Sequence, residues 1–159
     1  MYPYVILGAT AGPVLLLVLL RRFLSRLRIN GPSMMPALRD GQRVLVVRGG
    51  AARLRTGRIV VVAPPEGLVR PRPGAGPAAR PPLVVKRVAA LAGEPVPPEV
   101  CAAAGVPEGA LVPPGRLALL GDNPAFSTDS RFWGLLPVSS VVGVVVDRVD
   151  RVGRGPAPA

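Results

Sequence analysis

The 159-residue chain is long enough for one domain with a sizeable core and short for two. It has no histidine, which excludes Ser-His-Asp and Cys-His mechanisms, and one cysteine, Cys101, which excludes an intramolecular disulfide and a metal cluster. The net charge of +11 suggests an anionic neighbour, but aromatic residues at 4% are too few for a base-stacking surface, and no nucleic-acid partner is expected.

Residues 4–20 are uncharged and mostly apolar, ending in LLLVLL before Arg21 and Arg22. At ~1.5 Å per residue they reach roughly 26 Å as a helix, enough for a thin bilayer core. Tyr2 and Tyr4 suit one membrane interface, and Arg21, Arg22, Arg26 and Arg28 the other. The run reads as a single transmembrane helix within an N-terminal anchor and basic flank, 1–28, although a buried core helix would carry similar residues. No basic segment precedes it, as a cleaved signal peptide would require. Arginines that follow the span place the rest of the chain in the cytoplasm by the positive-inside rule, but they also suit lipid headgroups on the outer side.

After the anchor, a domain over 29–152 is mainly β. Strands are expected at 43–47, 58–62, 83–88, 116–120 and 141–149, with turns at Asp40-Gly41, Thr56-Gly57 and 92–95. Segments 63–82 and 95–115 are rich in proline and glycine and read as loops, and 153–159 as a frayed tail. Short valine-rich strands without a helical period indicate an all-β, barrel-like domain.

Three places carry candidate chemistry. Ser33 lies between Pro32 and Pro36, which fix the backbone around it; the same pattern also marks an ordinary turn. Lys86 is the chain's sole lysine, since the other basic residues are all arginine, and it sits in the apolar run Leu83-Val84-Val85-Lys86-Arg87-Val88. Arginine stays protonated, whereas a buried lysine can lose its proton and act as a base; a surface lysine on an edge strand is the plainer alternative. The loop GDNPAFSTDSRFWG (121–134) gathers Asp122, Asn123, Ser127, Asp129, Ser130 and Arg131. It is either a hydrogen-bonded surface loop or the support that positions a base.

Together these segments resemble the signal peptidase I family of membrane-bound serine endopeptidases. GPSMMPAL (31–38) resembles the nucleophile box, usually Ser-Met-x-Pro-Thr-Leu; VVKRVAALAGE (84–94) resembles the lysine box; GDNPAFSTDSRFWGLLP (121–137) resembles the last box. The resemblance implies a signal-peptidase-like β-barrel domain without the large extra β-domain of longer members, and a Ser-Lys dyad needing no cofactor or metal. Ser33 would be the nucleophile, with its backbone N–H as one oxyanion donor, and neutral Lys86 the general base. Ser127 would orient the lysine amine, while Arg87, Asp122, Asn123, Asp129 and Arg131 brace the loop. Burial among Val84, Val85 and Val88 would lower the lysine pKa. The substrate, a precursor protein or leader peptide, would pair with backbone near Lys86, and Met34, Leu38, Val84 and Val85 would wall pockets for small residues, the family's Ala-x-Ala preference.

The chain departs from the pattern at Ala37, Pro124 and Ala125, and at Gly31, where many members carry a serine as second oxyanion donor. Export processing would place the catalytic domain outside the cytoplasm, bound through its anchor and basic flank to membrane lipid. The arginine bias favours an alternative: a cytoplasm-facing maturation protease for one precursor, of the kind that matures nickel superoxide dismutase. An inactive peptide-binding module would not need the sole lysine at the base position. An autocleaving Ser-Lys repressor would need a DNA-binding domain where the anchor stands.

Overall fold

The structure is a computed structural model, described here for residues 23–49, 54–65, 67 and 83–149. The expected anchor at 4–20, most of the 63–82 loop and the 153–159 tail lie outside those residues. Among the described residues no helix is long and apolar enough to cross a membrane.

Seven antiparallel strands form one sheet: β1 (Leu24–Arg28), β2 (Arg43–Arg48), β3 (Ile59–Val62), β4 (Val84–Leu91), β5 (Arg116–Leu120), β6 (Leu136–Pro137) and β7 (Val141–Val149), in the order β1-β2-β7-β3-β4-β5-β6. β2 alternates, burying Val44 and Val46, and β4 buries Lys86, Val88 and Ala90 on one face. β3 does not alternate because both its faces are covered. Val60 and Val62 join Val88, Leu117, Leu119, Leu136 and Val144, whereas Val61 joins Ile29, Met34, Leu38, Val44 and Val46 on the other side. β7 lies between β2 and β3, and at Gly143 the neighbouring backbone comes close. A Cβ there would stand 2.7 Å from both the Val47 carbonyl oxygen and Val46 Cγ1.

The five expected strands correspond to β2, β3, β4, β5 and β7. Three readings are corrected. Leu24–Arg28, assigned from sequence to the anchor's basic flank, is an edge strand paired with β2 from Leu24↔Val47 to Arg28↔Arg43. The segment 95–115 is not wholly irregular, since it contains α1 (Pro98–Ala104), and α2 (Ser130–Trp133) follows later. Pro98 at the first helical position and left-handed Gly105 at the C-cap delimit α1, which buries Val100 and Cys101 against Ala90, Val96, Val112 and Ala118. Third, the barrel is an open sheet among the described residues, because β6 pairs only with β5 and β1 only with β2. β6 is two residues long and ends in Pro137, which has no N–H to extend the ladder.

Candidate active site

Ser33 sits on the turn between β1 and β2, half-buried between Pro32 and the fully buried Met34. The turn is bonded on several sides. Gly31 N–H donates to Asp40 Oδ1 at 2.8 Å, Met35 N–H to the Pro32 carbonyl at 3.0 Å and Leu38 N–H to the Met34 carbonyl at 2.8 Å. From the far side, Asn123 N–H donates to the Ser33 carbonyl at 3.0 Å. Asn123, expected as a supporting residue, therefore acts through its backbone.

Lys86 occupies an inward position of β4 and is only 3% exposed. Its Nζ donates to Ser127 Oγ at 2.7 Å, and the Ser127 hydroxyl donates to Asp129 Oδ2 at 2.6 Å. That oxygen also accepts Gly121 N–H at 2.8 Å and Arg131 Nη2 at 2.6 Å, while Asp129 Oδ1 accepts Arg131 N–H at 3.2 Å. Asp129 is fully buried, so its charge is held by these donors rather than by water. Burial pushes the Lys86 amine down from 10.5 to about 8; the Asp129 carboxylate opposes the shift and the Arg131 guanidinium adds to it. The Trp133 ring, with its centroid 5.9 Å from Nζ, also favours the charged amine, so burial acts against two opposing influences.

Arg87, next on β4, faces the opposite side of the strand. Its Nε donates to Asp122 Oδ1 at 2.7 Å, its Nη2 to Asp122 Oδ2, and its Nη1 to the Gly57 carbonyl at 2.7 Å. This fork ties β4 to the start of the 121–134 loop. Ser130, named in the sequence only as one of the loop's polar residues, and Gly121, which gave no chemical signal there, both have defined places in the structure. Ser130, fully buried, accepts Leu119 N–H through Oγ at 2.9 Å. At Gly121 a Cβ would stand 2.1 Å from Ser127 Oγ and 2.8 Å from the Ser33 carbonyl oxygen, so only glycine lets the loop touch both the serine turn and the lysine's partner.

Ser33 and Lys86 line one cleft of about 120 Å³, together with Leu27, Arg28, Ile29, Asn30, Met34, Leu83, Val84 and Val85. No hydrogen bond joins Ser33 to Lys86, a separation that is common between nucleophile and base before substrate binds. Of the pocket residues expected from sequence, Met34, Val84 and Val85 line this cleft. Leu38 does not; it is fully buried in the core beneath the serine turn. Leu27 and Arg28 of this wall were missed because β1 was read as membrane flank, and Ile29 and Asn30, placed in the domain, were given no role. The alternation of half-buried Leu27 and buried Ile29 with exposed Arg26 and Arg28 was the available signal.

The β domain thus brings a braced serine and a buried lysine of lowered pKa to one cleft. A family profile described as "Signal peptidase, peptidase S26" matches residues 4–103 and 97–149, and the chain belongs to that family. It is 31% identical over 174 residues to "Signal peptidase I" of Leptolyngbya laminosa, covering 92% of this chain and 81% of the relative. It is likewise 31% identical over 165 residues to "Probable signal peptidase I-1" of Synechocystis sp., covering 89% and 79% respectively.

Proposed function

We propose that this signal peptidase-like endopeptidase cleaves signal or leader peptides from precursor proteins with a Ser33–Lys86 dyad. The observation that carries the reading is the buried chain from Lys86 through Ser127 to Asp129, opening on the cleft that holds Ser33. Ser127 takes one N–H of the amine, which orients it and leaves the lone pair of neutral Lys86 for the Ser33 proton. The Ser33 oxygen then attacks the scissile carbonyl carbon, and the carbonyl electron pair moves onto oxygen beside the Ser33 N–H. As the tetrahedral intermediate collapses, the leaving amine takes the proton from Lys86. Water completes the cycle by the same route in reverse, releasing the acyl group from Ser33.

Substrate binding by strand addition is supported by two unpaired edges. Among the described residues β1 pairs on one side only, and Val84–Lys86 pair with β3 while β5 joins β4 only from Arg87 onward. Both edges wall the cleft, so an extended peptide laid there meets backbone donors and acceptors on either side, with Met34 and Val85 limiting side-chain size. An anchor over 4–20 would bring membrane-bound precursors to this cleft.

The test is cleavage of a precursor by the full-length chain. Lys86→Arg keeps a positive charge but cannot supply a neutral amine, and it is expected to abolish cleavage with the thermal unfolding midpoint little changed. Cleavage retained in that variant, or in Ser33→Ala, would overturn the dyad.

A further inference from the structure

The turn carrying Ser33 has few free donors for an oxyanion. Pro32 has no N–H, and the Gly31 N–H is already bonded to Asp40 Oδ1. Neither of the two backbone positions before the nucleophile can therefore join the Ser33 N–H in holding negative charge, and glycine at 31 brings no hydroxyl.

The cleft wall has one neutral amide side chain, Asn30. It is exposed, and no hydrogen bond engages its side chain among the described residues. Its backbone neighbours are fixed. Ile29 N–H donates to the Gln42 carbonyl at 2.8 Å, the Ile29 carbonyl accepts Gly41 N–H at 2.9 Å, and Gly31 is held by Asp40. The other polar group on that wall, Arg28, lays its guanidinium over the turn at Gly41, where a Cβ would meet Nη2 at 3.4 Å. The backbone that carries Asn30 is thus fixed beside the serine turn, and its side-chain amide N–H is not engaged by another group among the described residues and is available to a developing oxyanion.

The geometry points to Asn30 as the second oxyanion donor of this site, its Nδ2–H joining the Ser33 N–H on the oxygen of the scissile carbonyl. The inference rests on the peptidase reading above. When Ser33 oxygen bonds to the carbonyl carbon, its proton passes to Lys86 and the carbonyl electron pair becomes the oxyanion that both N–H groups hold. On collapse the pair re-forms the carbonyl, the C–N bond breaks, and the amine leaves with the proton from Lys86. Because the charge exists only in the intermediate and the transition states flanking it, Asn30 contributes to kcat rather than to substrate affinity.

The experiment uses the full-length chain in detergent micelles and an internally quenched peptide with alanine at the first and third positions before the cut. Asn30→Ala and Asn30→Asp, which matches the shape but offers no N–H, are each expected to lower kcat by about 100-fold or more with KM within about threefold. Asn30→Gln, which keeps the amide, is expected to recover part of the loss. If Asn30→Ala fails to fold, the isosteric Asn30→Asp carries the test alone. A kcat within about threefold of the parent in the folded variants, or a loss confined to KM, overturns the inference and leaves the peptidase reading standing. An equal kcat loss in Arg28→Ala with none in Asn30→Asp assigns the donor to Arg28 and also overturns it. Absence of Ser33-dependent cleavage in the parent overturns both together.

Discussion

Lys86 depends on a balance that no single neighbour sets. Asp129 lies two hydrogen bonds away and would hold the amine charged, but Arg131, Gly121 and Ser127 already engage its carboxylate. With Asp129 so engaged, burial of the amine decides the direction, and its pKa falls to about 8. Below that value the amine is charged and cannot accept the Ser33 proton; above it the amine is neutral. The acylation rate is therefore expected to rise about tenfold between roughly pH 7 and pH 9, with a midpoint near the Lys86 pKa. Steady-state kcat/KM against pH checks this, and a flat profile over that range would exclude a base that titrates near pH 8. At this scale much of the site was legible. A sole lysine among arginines, a serine between prolines and a cluster of short polar side chains are all unusual choices of residue. Gly121 was not legible, because its contribution is the absence of a side chain, and that matters only where Ser33 and Ser127 converge on it.

At the scale of elements, β7 holds the two halves of the sheet together through its pairings with β2 and β3. Gly143 is paired with Arg48 of β2 on one side and Val61 of β3 on the other. Gly143→Ala would force a methyl against the Val47 carbonyl and Val46, and is expected to cost about 1–3 kcal/mol of stability, read as a lower urea midpoint with an unchanged slope. The valine-rich strands were legible because alternation or an unbroken β-branched run leaves few other options. β1 was not, since its arginines resemble a membrane flank and its pairing partner lies about 20 residues downstream, beyond any local pattern. α1 was hidden by its prolines. They read as loop formers until one of them is recognised at the first turn of a helix, where it is favoured.

For the molecule as a whole, β1 begins within four residues of the apolar 4–20 run. A helix over that run would deliver the chain almost directly into the sheet, holding the cleft near the bilayer surface. Arg26 and Arg28, counted in the sequence as part of the flank, are exposed side chains of this edge strand, so part of the arginine bias belongs to the folded domain. Those two arginines therefore carry less weight in the positive-inside count, and the side of the membrane is decided by experiment. A reporter enzyme fused after Ala159 is expected to be active only outside the cytoplasm; a cytoplasmic signal would reverse the topology and favour the dedicated maturation role.

The preference for arginine over lysine has a practical consequence. A cell supplied with nitrogen-15 lysine would incorporate the isotope into this protein at one position, and that position is the proposed base. With the label on the side-chain nitrogen alone, a single resonance, followed as acid is added, would then give the proton affinity of Lys86 directly, without mutagenesis and without substrate.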